Sequence, residues 1–149
     1  MNTLAKTFLA AALIAVSTFT MAVAKPAGDN SKKAVVNLST AHLAIDHYVA
    51  VMTVGQTIGV EQLFTADFSE KVQASEVKAN SRSEVISFLK KQKGEQLNCK
   101  TNTTIVQESA DYMIAKVTMQ FEGFTKSDLV TFINEDGNWK VSQSIKSYK

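Results

Sequence analysis

From Ser127 to Ile145 the chain alternates in steps of two. Leu129, Thr131 and Ile133 interleave with Val130, Phe132 and Asn134, the Asp136-Gly137-Asn138 cluster carries turn chemistry, and Trp139, Val141 and Ile145 resume the alternation. The pattern predicts a hairpin of two half-buried strands, over 126–134 and 139–148. Upstream, Met113, Ala115, Val117, Met119 and Phe121 alternate with the mostly polar set Tyr112, Lys116, Thr118 and Gln120, predicting a strand over 112–121. With a further strand over 97–107, the second half of the chain reads as a four-stranded antiparallel meander with one dry face.

The first half follows a helical period. Thr40 or Ser39 can cap a helix running to Val54, with Leu43, Tyr48 and Met52 beside Ala44, Val49 and Val51 as its apolar stripe and Gly55 as its stop. A short helix over 60–64 places Leu63 and Phe64 in the core, and Phe68, Val72 and Ala74 alternate as a strand over 68–74. Ser81-Arg82-Ser83-Glu84 is a capping-box pattern ahead of Val85, Ile86, Phe88 and Leu89, so a third helix should end near Gly94. The expected class is α+β: three N-terminal helices packed in a curved, mostly antiparallel sheet that forms a conical half-barrel.

The first residues read as an address. Lys6 is followed by an apolar run from Phe8 to Val16 and by the A-x-A site Ala22-Val23-Ala24, which marks Met1–Ala24 as a cleaved export signal and the mature chain as periplasmic or secreted. Residues 25–34, with Pro26, Gly28, Asp29 and Asn30, read as a flexible linker, and 35–149 as one domain. Cleavage leaves 149 − 24 = 125 residues and, because Lys6 departs, 15 Lys+Arg against 14 Asp+Glu. That balance gives no electrostatic basis for binding nucleic acid, or a membrane once the signal is gone. Cys99 is the only cysteine, which excludes an internal disulfide, and it reads as a small core residue. His42 and His47, five apart on a helix, diverge by more than about 100°, so they make no metal pair, and no motif calls for a cofactor.

The order helix, short helix, strand, helix, four strands resembles the nuclear transport factor 2-like superfamily. His47–Gly55 and Val60–Asp67 are similar to that family's tyrosine-bearing first helix, its glycine stop and its Leu-Phe-x-x-Asp second helix. Asp128-Leu-Val-Thr-Phe132 and Asp136–Val141 resemble the end of its branch named for lumazine binding, which includes many small exported bacterial proteins. The resemblance implies a conical α+β domain, and the same scaffold hosts binders, interaction modules and enzymes.

Against ketosteroid isomerase, the resemblance aligns Tyr48 with the oxyanion tyrosine, but it puts Val72 where the base aspartate belongs and Leu129 near the oxyanion acid. Glu70, on the same strand face as Val72, would be a displaced base, and Asp128, one residue from Leu129, is expected to point away. A dehydratase-type His–Asp pair is not formed by Asp46 and His47, because adjacent helix residues diverge. The expected function is therefore non-catalytic binding of a small apolar or aromatic ligand, with the interior lined by Tyr48, Met52, Phe68, Met119, Phe132, Trp139 and Gln143. Tyr48, Trp139 and Gln143 would supply polar handles. The alternatives are a homodimer formed through the outward sheet residues Tyr112, Ile114, Lys116, Thr118, Lys140, Ser142, Ser144 and Tyr148, and an isomerase or dehydratase-type enzyme.

Overall fold

In the computed structural model, residues 34–73 and 79–149 are described. The expected export signal at Met1–Ala24, most of the expected linker and the expected strand end at Ala74 lie outside them. Three helices and six strands make up the described residues. Helix α1, Ala41–Thr53, starts where Thr40 in extended geometry accepts a hydrogen bond from the Leu43 amide, and it turns its buried Ala44, Ile45, Tyr48, Val51 and Met52 toward the sheet. At Gly55 the chain reverses with φ at 63°; a Cβ there would lie 2.5 Å from the Gln92 carbonyl oxygen and 2.6 Å from the amide nitrogens of Gly94 and Glu95. The Gly55 carbonyl accepts from the Gly94 amide at 3.0 Å, which ties the end of α1 to the loop after the third helix.

Helix α2, Val60–Leu63, runs directly into strand β1, Phe64–Val72, and a short strand β2, Ala79–Ser81, hands over to helix α3, Arg82–Lys91. The capping box at Ser81 and Glu84 is formed as the sequence predicts, and Lys90 and Lys91 stand at the negative end of the helix dipole. The helices are not all N-terminal: two strands precede α3, because the inner face needs a separate cover over its β1 end, where α3 packs.

The meander follows as β3, Lys100–Glu108, β4, Tyr112–Gln120, β5, Thr125–Glu135, and β6, Asn138–Tyr148. The strand order is β2-β1-β6-β5-β4-β3, a curved sheet that does not close. All neighbours pair antiparallel except β1 and β6, which run parallel with Glu70 beside Ser144 and Val72 beside Lys146. Met113, Ala115, Val117 and Met119 of β4 and Val130 and Phe132 of β5 are buried on the inner face, and the Tyr48 ring meets Phe132 edge-on at 6.1 Å between centroids.

Two orientations differ from the sequence reading. On β5 the buried set is Asp128, Val130 and Phe132, whereas Leu129 is 40% exposed, so Asp128 faces inward. On β6 an extra residue bulges between the pairs Phe132–Val141 and Thr131–Gln143. The bulge shifts the alternation by one. Beyond it Ser144 and Lys146 face the interior, while Ile145 is turned out and Gln143 stands with Thr131 on the outer face. Ser144, expected on that outer surface, is fully buried.

Candidate functional site

The inner sheet face changes character along its length. Around Met113, Val130, Phe132 and Val141 it is apolar, and toward the β1–β6–β5 end it carries Glu70, Lys126, Asp128, Ser144 and Lys146. Register assembles this group: Asp128 pairs with Lys146 across β5 and β6, Lys126 with Tyr148, and Glu70 with Ser144. Same-face neighbours in adjacent strands lie within side-chain reach.

Two linked pairs result. Lys146 Nζ sits 2.5 Å from Glu70 Oε2, both side chains nearly inaccessible, and Asn80 of β2 donates to Glu70 Oε1 at 3.1 Å. Tyr48 Oη donates to Asp128 Oδ2 at 3.0 Å, and Lys126 Nζ approaches the same oxygen at 3.2 Å. Burial raises the Tyr48 pKa well above its ordinary value of 10.0; the charge of Asp128, its hydrogen bond and the charge of Glu70 add to the rise, and the Ser144 hydroxyl opposes it. Tyr48 is therefore a neutral donor. Burial lowers the Lys126 pKa from its ordinary 10.5; Asp128 resists that shift and the charge of Lys146 reinforces it.

Beside this network lies a cavity of about 500 Å³ between α3 and the β1–β6 end of the sheet. Met52, Val72, Val85, Leu89 and Leu97 form its apolar walls, and Glu70, Lys126 and Lys146 its polar floor. Phe88 and Tyr148, each more than half exposed, stand on its solvent side, and Glu84, Asn80 and Gln92 complete the lining. No group of three or more His, Cys, Asp or Glu among the described residues is arranged to hold a metal ion.

Of the seven residues predicted to line a pocket, Met52 reaches this cavity. Tyr48, Phe68, Met119, Phe132 and Trp139 are buried in the hydrophobic core, with Tyr48 beneath the floor through Asp128. Gln143 stands opposite Thr131, on the far side of the sheet, because of the bulge. The sequence reading missed Lys126 and Lys146. Lysines in half-buried strands read as solvent-facing, and one signal was available: Lys126 shares its strand parity with Val130 and Phe132.

The model of the family described as "Putative lumazine-binding" matches residues 37–148. The chain belongs to this family. As a member of this family it has the nuclear transport factor 2-like fold, and solved structures agree. A nuclear transport factor 2-like protein of unknown function from Silicibacter pomeroyi DSS-3 is 22% identical, with a TM-score of 0.55 over 72% of this chain and 90% of that chain. A protein of the DUF3225 family, its function unknown, from Pectobacterium atrosepticum SCRI1043 is 18% identical, with a TM-score of 0.59 over 75% of this chain and 90% of that one. A putative ketosteroid isomerase from Parabacteroides distasonis ATCC 8503 is 14% identical, with a TM-score of 0.54 over 76% and 91% respectively. At these identities the likeness is one of fold. No curated protein matches.

Proposed function

We propose that this domain binds a small molecule in the cavity beneath α3, with an apolar body held by the walls and a polar group held by the floor. The observation that carries the reading is the cavity itself. It has the size of a small-ligand site, aliphatic side chains form much of its wall, and Glu70, Lys126 and Lys146 meet on its sheet side. The family's description supports a heteroaromatic occupant such as lumazine, whose ring would have Phe88 and Tyr148 within reach at the solvent side.

Binding is favoured over isomerisation by where the donors go. Tyr48 donates its hydrogen bond to Asp128 Oδ2, which Lys126 also approaches, so the phenol is engaged within the protein and not turned to the cavity. Val72 faces the cavity where the fold's isomerases carry a base, and the neighbouring Glu70 is engaged by Lys146 and Asn80. The export signal that the sequence of residues 1–24 suggests adds the proposal that binding takes place outside the cytoplasm.

Thermal shift with lumazine and a panel of apolar ligands tests the reading: an occupant at 100 times its Kd adds about 2.7 kcal/mol to stability. Val85→Trp, which puts an indole into the cavity, should abolish the shift without unfolding the protein. A shift that survives Val85→Trp places the ligand elsewhere.

A second reading is favoured by one feature of the outer sheet face. Leu129 and Ile145 sit directly opposite each other across β5 and β6 and are 40% and 37% exposed. An apolar cross-strand pair there suits self-association. Light scattering across a hundredfold concentration range would detect it, and Leu129→Lys should reduce it.

A further inference from the structure

We infer that the occupant of this cavity is an apolar monocarboxylate whose negative charge lies between the ammonium groups of Lys126 and Lys146. The inference rests on the binding reading above and names the class of ligand.

Lys126 and Lys146 are diagonal neighbours on the inner face, since Asp128, two residues along from Lys126, is the cross-strand partner of Lys146. Side chains on such a diagonal meet over the same patch of surface. Both line the cavity, and their side chains are 13% and 11% exposed, so two positive charges share a floor with little water to screen them. Burial is the main cause of the lowered pKa of Lys126, and the charge of Lys146 adds a smaller push in the same direction against the pull of Asp128. A negative group placed between them relieves that repulsion and makes charge-assisted hydrogen bonds to both.

The counter-charges are unevenly placed. Asp128 accepts from Tyr48 and Lys126 and does not line the cavity, so its charge lies behind the floor. Glu70 does line it. Glu84, at the rim, is held by the amide and hydroxyl of Ser81 in the α3 cap. Two ammonium groups and two carboxylates line the cavity, and with Glu84 turned into that cap the floor itself presents Lys126, Lys146 and Glu70. That arrangement accepts one negative charge, while Glu70 opposes a second. Both ammonium groups retain donors for an occupant: of its three N–H bonds Lys126 gives one to Asp128 and one to Met119 Sδ at 3.8 Å, and Lys146 gives one to Glu70. Above the floor, Met52, Val72, Val85, Leu89 and Leu97 offer nothing polar, Asn80 already donates to Glu70 and Glu84 is engaged by Ser81, which leaves Gln92 as the other polar lining residue and makes the surroundings of the rest of the ligand mainly apolar.

Calorimetric titration of the purified protein with 2-naphthoate, 2-naphthamide and 2-naphthyl phosphate tests this. These probes share one ring system and differ in charge. The carboxylate should bind about tenfold or more tightly than the neutral amide, as expected for hydrogen bonds to charged groups. It should also bind more tightly than the dianionic phosphate. The preference over the amide should persist in Lys126→Arg and vanish in Lys126→Met/Asp128→Asn, a pair change that leaves no buried charge without a partner. Lys146→Met/Glu70→Gln tests the other side of the floor in the same way. Equal or weaker binding of the carboxylate than the amide overturns the inference while leaving the binding reading intact, and needs no variant. Tighter binding of the phosphate overturns the single-charge assignment. If none of the probes binds, whereas lumazine still stabilises the protein, the binding reading survives and the monocarboxylate is wrong; if nothing binds, both fall.

Discussion

Tyr48 and Asp128, separated by eighty positions in sequence, share a buried hydrogen bond of 3.0 Å that joins the middle of α1 to β5. Removing its donor by Tyr48→Phe leaves the carboxylate with one partner fewer and should destabilise the protein by about 1–3 kcal/mol in urea unfolding. Asp128→Ala should cost more, roughly 3 kcal/mol or above, because it also strands the Lys126 ammonium in a site that is 13% exposed. Asp128→Asn keeps an acceptor for Tyr48 and should fall between Tyr48→Phe and Asp128→Ala.

The same phenol makes stability depend on alkaline pH. Its native pKa lies above the ordinary 10.0, so between the two values the native state holds a proton that the unfolded chain has released. Stability contributed by the protonated phenol is complete below pH 10 and declines as the pH rises through the window. Tyr48→Phe should flatten that decline. In a spectrophotometric titration, the phenolate signal that Tyr48→Phe removes should appear only as the protein unfolds.

His47 sets an acid limit. Burial lowers its pKa from 6.5, against the opposing pull of the backbone at Gly59 and Ile58. Here the unfolded chain binds the proton first as the pH falls below 6.5, so stability drops from that point toward the native pKa. Melting temperatures from pH 8 to pH 5 should fall less steeply in His47→Gln than in the parent protein.

Gly55 and Gly94 separate backbone strain from collision. Both have positive φ, and either alanine variant pays the left-handed penalty of about 1–2 kcal/mol. At Gly94 the new methyl group meets nothing within 4 Å, whereas at Gly55 it meets three backbone atoms at 2.5–2.6 Å. Backbone atoms cannot rotate aside. Gly55→Ala should therefore be the more destabilising, and because Gly55 anchors the loop after α3, it should also weaken occupancy of the cavity.

Ser81→Ala tests how far the cavity wall depends on its cap. The substitution removes the side-chain half of the capping box and should cost about 1 kcal/mol. Val85 and Leu89 lie on the helix it caps, so affinity for a cavity ligand should fall along with thermal stability.

The elements were legible because their signals are local. Thr40, Gly55, the Ser81–Glu84 box and the 112–121 alternation each carry their own physical reason, and each marks an observed boundary to within a residue or two. The candidate site was not, because it depends on relations between distant strands. Glu70 meets Lys146 only through the parallel pairing of β1 with β6, which no local pattern announces. Gln143 was placed inward by a period of two that the β6 bulge breaks. Asp128 was recoverable: its parity with Val130 and Phe132 outweighs the resemblance that put Leu129 near the oxyanion acid.

The position of β6 decides how the sheet holds together. Strand β6, Asn138–Tyr148, lies between β1 and β5 and pairs with both, parallel to the first and antiparallel to the second. Among the described residues it is the one join between the β2–β1 pair and the β5–β4–β3 meander, so disruption of this strand divides the sheet in two and opens the floor of the cavity at the same time.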